Sequence, residues 1–209
     1  MTNEPISHLH LDVLKEIGNI GAAHAATSLS QLLQKKVDMY VPNVKLATFD
    51  EVFELAGGAE ELVASIFLRI QGDITGSMFF MLSIDGANHL IQSLIQDDSF
   101  DLREASGTEV GVSSMQELGN ILSGSYLTAL SNFTNLNIQP TVPSLSIDMV
   151  GAIMSFGLLD ISTYADEVIV VDTEMIEERE GNTEAIRGNF FLLPDPPSYK
   201  TIFQSLGVM

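Results

Sequence analysis

The chain contains no cysteine. Disulfides, thiolate nucleophiles and cysteine-ligated zinc or iron–sulfur centres are excluded, and the absence fits a reducing cytoplasm. Basic residues are scarce: nine Lys and Arg stand against 28 Asp and Glu, for a formal net charge of −19. No basic stripe offsets this, so a nucleic-acid backbone or an anionic lipid surface would be repelled. Neither is an expected partner. Long apolar runs are missing as well. No stretch of ~20 apolar residues occurs, so membrane insertion is not expected. The first residues, Met1-Thr2-Asn3-Glu4-Pro5, carry neither the basic nor the apolar region of a secretory signal. His8, His10, His24 and His89 are scattered along the chain, and no metal site of the chain's own is expected.

What is present is enough apolar material for a core without staples: 45% of 209 residues. Apolar periodicity predicts a long helix from about Leu9 to Leu33, with Val13, Ile17 and Ile20 on one face. A strand over Val37–Val41 closes at Pro42, and a short acidic helix over Phe49–Ala56 stops at Gly57-Gly58. A hairpin follows, with strands Leu62–Gln71 and Ser77–Leu82, and then a helix over Ile84–Ile95. An acidic, turn-rich linker occupies 97–108. The same order then returns: a helix over Glu109–Phe133, a strand over Asn137–Val142, a helix over Met149–Leu159, and strands over Glu167–Met175 and Gly188–Leu193. These last two are joined by a charged turn around Glu177–Asn182.

The return is chemical as well as periodic. Asp12, Glu16, Gly18, Asn19 and Pro42 are matched, at an offset of 101 positions, by Ser113, Glu117, Gly119, Asn120 and Pro143. Near the end the offset grows to 112, as Leu90-Ile91-Gln92-Ser93-Leu94 is echoed by Ile202-Phe203-Gln204-Ser205-Leu206. A surface hairpin accommodates such an insertion. We therefore expect two repeats, 9–96 and 109–209. A helix and a few strands per repeat bury too little alone, which predicts one α+β domain over 1–209. A mainly antiparallel fused sheet with a pseudo-two-fold axis would be flanked by helices, and two long helices would carry the motifs.

At 100° per residue, Asp12, Glu16 and Asn19 share one side of the first helix, and Ser113, Glu117 and Asn120 one side of the other. Ala23 and Gly124 continue these rows with almost no side chain, leaving a floor low enough for another protein to approach. Gly18, Gly21 and Gly119 cost roughly 1 kcal/mol each inside a helix, which points to close packing or a close ligand. Neither a carboxylate nor an amide is a strong nucleophile. An amide can orient water, however, and a carboxylate can hold a partner's lysine. Phosphoryl transfer to water depends mainly on such positioning. An acid–amide pair could thus complete an active site whose metal and phosphate reside on another protein.

The pattern (Asp/Ser)-x3-Glu-x2-Asn-x22-Pro resembles the signature of the CheC/CheX/FliY family of bacterial chemotaxis phosphatases, and both halves match it at every position. Members dephosphorylate CheY-P, the phosphorylated response regulator. The resemblance implies that Asn19 and Asn120 place the attacking water in line with the aspartyl phosphate. It implies that Glu16 and Glu117 anchor the regulator's active-site lysine, and that the regulator supplies the magnesium, with no cofactor of the chain's own. Two motifs in about 209 residues are similar to CheC members. CheX-like members carry one, and FliY-like members add a C-terminal flagellar-switch domain for which no room is left. CheC-like members also bind the receptor deamidase CheD. Alternatives within the resemblance are a non-catalytic adaptor for CheY-P or CheD and a flagellar-switch component. An internal pseudo-dimer lessens the need for a real one, so a monomer is expected.

One contrast separates the halves. Asp50, Glu51 and Glu54 make the short first-half helix acidic. Its counterpart, Asp148-Met149-Val150-Gly151-Ala152-Ile153-Met154-Ser155-Phe156, is nearly all apolar. It reads either as core or as a partner face, since Met and Phe suit adaptable docking. As a face it would receive CheD through Asp148, Met149, Ile153 and Phe156.

Overall fold

The computed structural model describes residues 6–105, 108–158, 167–179 and 182–207. Helix α1 (His8–Leu33) leads into β1 (Val37–Tyr40), a turn, and β2 (Val44–Thr48). Thr48 then caps α2 (Phe49–Leu55): its hydroxyl accepts from the Glu51 N–H, and the Glu51 carboxylate accepts from the Thr48 N–H at 2.8 Å. Strands β3 (Leu62–Gly72) and β4 (Gly76–Ser83), helix α3 (Ile84–Ile95) and the single turn α4 (Leu102–Ala105) follow. The order then runs again through α5 (Glu109–Thr134), β5 (Ile138–Pro140), β6 (Ser144–Met149), α6 (Val150–Leu158), β7 (Glu167–Arg179), β8 (Asn182–Pro194) and α7 (Pro196–Ser205).

The strands form one antiparallel sheet in the order β1-β7-β8-β4-β3-β5, with β2 also on β7 and β6 also on β3. Each half thus lends its short strands to the other half's long strand. Val44 lies opposite Val171 and Ile66 opposite Leu145. The two central strands meet at Phe80 and Phe190, whose rings pack 4.4 Å apart. Neither half could bury its strands alone, because the partners of β1 and β5 lie across the repeat boundary.

Helices cover both faces. On one, α1, α3 and α5 pack on Ile66, Leu68, Phe80, Val171 and Phe190. On the other, Val52 of α2 and Val150, Ile153 and Met154 of α6 pack on Val63, Phe79, Val170 and Phe191. Strand β4 is buried on both sides, which explains its unbroken apolar run. At Gly72, φ is +119° and a Cβ would stand 2.0 Å from the Asn137 carbonyl oxygen, so only glycine serves.

Several expectations are corrected. Strands β2 and β6 follow the proline turns directly, where the sequence reading placed none. The charged stretch after Met175 is the far end of a long β7–β8 hairpin, extending to Arg179 and resuming at Asn182; Glu180 and Gly181 lie outside the described residues. Within the acidic linker, Leu102 is fully buried and its N–H donates to the Asn88 side chain at 2.7 Å, so this part is packed onto α3. Ile153 is 6% exposed and belongs to the core under α6, which removes it from the expected CheD face. Asp148 and Met149 are exposed. Phe156 falls within α6, but its side chain lies outside the described residues, as does Leu159.

Candidate functional site

The motif helices reach full length because their apolar faces dock on the sheet. Ile17, Leu29 and Leu33 of α1 and Met115, Leu118 and Leu122 of α5 are buried. The glycines answer to packing. A Cβ on Gly21 would lie 2.9 Å from Tyr126 Cα, so α1 and α5 approach there almost backbone to backbone. A Cβ on Gly18 would meet Val41 at 3.3 Å, and one on Gly119 would meet Ile66 at 2.8 Å. Gly124 has open space before it, and Ala23 is exposed, as a low floor requires.

Opposite the buried faces stand the motif residues. Asp12, Glu16, Ser113, Glu117 and Asn120 are exposed. Glu16 and Asn19, like Glu117 and Asn120, are one helical turn apart, which places their side chains as neighbours. Neither Glu16 nor Glu117 has an ion-pair partner among the described residues, so both carboxylates are available to an incoming cation. Among the described residues no group of three or more His, Asp or Glu could hold a metal ion. No described helix is long and apolar enough to cross a membrane.

The asparagines differ, against expectation. Asn19 is half-buried. Its Nδ2 donates to the Lys15 carbonyl at 3.0 Å and to the Val41 carbonyl at 3.4 Å, while its Oδ1 accepts from the Val41 N–H at 2.9 Å. The Asn120 side chain makes no hydrogen bond among the described residues. Its turn is fastened elsewhere: Thr141 N–H donates to the Arg69 carbonyl at 2.9 Å, and Arg69 N–H donates to Thr141 Oγ1 at 3.0 Å. The Arg69 guanidinium in turn reaches Ser77 Oγ at 2.7 Å and Asp195 at 3.2 Å. Pro42 is exposed and Pro143 buried, so the matched prolines sit in opposite environments. Val41, Ile66, Arg69 and Thr141 shape the two sites, yet the sequence reading did not single them out. The only signal available was that a valine precedes each motif proline.

The sequence profile of the CheC-like family matches residues 9–46 and 113–147, each stretch running from a motif helix through its proline. The "CheY-P phosphatase CheC" of Bacillus subtilis (strain 168) is 44% identical over 202 residues, 97% of this chain and 96% of that protein. The chain belongs to the CheC-like family. Its fold is shared with solved FliY and FliM structures. The crystal structure of Thermotoga maritima FliY superposes with a TM-score of 0.76 at 20% identity, covering 98% of each chain. The FliM middle domain from H. pylori gives 0.62 at 14% identity, covering 96% of this chain and 99% of that one. Because one fold carries all of these, the reaction of a CheC-like chain must be argued from its site.

Proposed function

We propose that this chain is a phosphatase that accelerates hydrolysis of the aspartyl phosphate of the chemotaxis response regulator CheY-P, in the cytoplasm and as a monomer. The observation that carries the reading is Asn120: an amide without an internal partner, one helical turn from the unpaired carboxylate of Glu117, on an exposed helix face. Glu117 receives the regulator's active-site lysine and fixes the docking register. The Asn120 carboxamide accepts a hydrogen bond from a water molecule and aims its lone pair at phosphorus. The water oxygen bonds to phosphorus as the bond to the aspartyl oxygen breaks. The regulator recovers its carboxylate, and the water proton leaves with inorganic phosphate. Magnesium held by the regulator would supply charge neutralisation for the phosphoryl group, and the chain supplies position and little covalent chemistry. Glu16 and Asn19 form the corresponding first site.

Phosphate release from CheY-P tests this with the protein present in substoichiometric amounts. The wild type should turn over many equivalents, and the variant carrying both Asn19→Ala and Asn120→Ala should leave the regulator at its own rate. Release that never exceeds one equivalent would favour the adaptor reading instead.

A second partner, CheD, is supported by one surface observation. Met149 is 48% exposed and lies opposite Leu62, itself 39% exposed, where β6 pairs with β3. Asp148 is exposed beside them. An apolar pair rimmed by a carboxylate suits a protein contact. Asp148→Lys should weaken CheD capture in a pull-down, and unchanged capture would remove this face.

A further inference from the structure

Val41-Pro42 and Val142-Pro143 are matched turns folded in opposite senses. Val41 is 2% exposed and Pro42 exposed; Val142 is 85% exposed and Pro143 buried. In the first half, the Val41 side chain sits over Gly18, and its peptide takes both polar atoms of the Asn19 amide. In the second half, the place over Gly119 is filled from the sheet: the Cγ2 and Cδ1 of Ile66 come within 2.8 and 3.1 Å of where a Cβ on Gly119 would stand. Ile66 and Val171 hold corresponding positions, opposite Leu145 and Val44, each two residues past its proline. The Ile66 side chain covers the glycine with its branch methyl Cγ2, the nearest atom, and with Cδ1 beside it. With that place taken, Val142 has no apolar seat.

We propose that the Val-Pro turn is a latch over the motif asparagine, closed on Asn19 and held open beside Asn120 by Ile66. Closure buries a valine, which favours it, and occupies the amide that would otherwise orient water. Opening exposes the valine and frees the amide. Ile66 is thus a positioning residue for the second site, and Val41 an internal inhibitor of the first. The catalytic meaning of the latch rests on the phosphatase reading; its structural content does not.

Two single-site proteins separate the effects. Asn120→Ala keeps only the first site, and adding Val41→Thr places a hydroxyl in the apolar seat. The turn should open and CheY-P dephosphorylation rise roughly tenfold. Asn19→Ala keeps only the second site, and adding Ile66→Ala removes both of the atoms that stand over Gly119, Cγ2 and Cδ1, and clears the seat. The turn should close and the rate fall roughly tenfold. Hydrogen exchange of the two side-chain amides, followed by NMR without regulator, gives a readout independent of activity. Asn19 should exchange slowly until Val41→Thr is introduced, and Asn120 quickly until Ile66→Ala is introduced. Should Val41→Thr fail to fold, Gly18→Ala crowds the same valine and should move Asn19 exchange in the same direction. Equal exchange of the two amides in the wild-type protein, or Asn19 exchange unmoved by either variant, overturns the latch. Exchange as described with no phosphatase activity in any version, wild type included, leaves the latch standing and removes the phosphatase reading.

Discussion

In the first half, the motif asparagine is half-buried and its amide is bonded to the Val41 peptide; in the second, Asn120 stands in solvent with Val142 turned outward. The residue types are the same, at the same spacing. What differs is the neighbour across the sheet. Ile66 fills the hollow over Gly119, whereas the hollow over Gly18 is filled by the turn itself. A duplicated motif therefore specifies which groups are at hand, and the packing beneath it decides which of them reach solvent. The lesson is one of competition for a single apolar seat. Close packing leaves such a seat to one side chain.

The comparison can be broken or sharpened at several places. The largest effect is expected at the carboxylates. Glu117→Ala should lower kcat/KM for CheY-P on the order of 10²-fold, as loss of one member of a desolvated ion pair does, while Glu16→Ala should change it little. Equal losses would mean that both sites serve alike.

Next comes the helix crossing, where the halves also differ: Gly21 lies against Tyr126, and the matched positions hold Leu122 and Ala25. Gly21→Ala forces a methyl toward the Tyr126 backbone and should destabilise the fold by about 1–3 kcal/mol in urea unfolding. Gly124→Ala, with open space before it, should not destabilise.

Smaller is the effect of Tyr126→Phe, expected near 1 kcal/mol through loss of the bond between its hydroxyl and Thr173 (3.2 Å). Burial pushes the Tyr126 hydroxyl up to about 12, against the opposing pull of the Thr173 bond. Its folded-state value lies above the unfolded one, so the neutral form stabilises the fold fully below the ordinary value of about 10. That contribution is lost as pH rises from about 10 to 12. Thermal melts of Tyr126→Phe should lose part of this alkaline decline. Tyr199, also raised to about 12 by burial, retains the rest. Least of all, Asp148→Lys should leave phosphate release unchanged, because that residue sits on the β6–α6 junction and not on a motif helix.

Much of this was legible in advance. The 3.6-residue spacing of Val13, Ile17 and Ile20 located α1 because a helix packed on one face must repeat that way. The matched Glu16/Asn19 and Glu117/Asn120 pairs located both candidate sites because side-chain chemistry at fixed spacing survives in the letters. Strands β2 and β6 were not legible. Val44-Lys45-Leu46-Ala47-Thr48 is too short to show a period, and its partner on β7 lies more than a hundred residues away. The fate of Asn19 was hidden for a similar reason: its captor is the backbone of Val41, and a backbone bond leaves no mark on residue type. Ile153 is open to both readings, core and partner face, in the sequence because an apolar helix of a few turns reads the same whether it faces a partner or its own sheet.

The decisive measurement is the rate of phosphate release from CheY-P, with catalytic amounts of protein, for Asn19→Ala and Asn120→Ala measured side by side. An open second site predicts that Asn19→Ala keeps most of the wild-type rate and that Asn120→Ala loses most of it. A protein that loses its activity with Asn19 and keeps it without Asn120 would contradict the account.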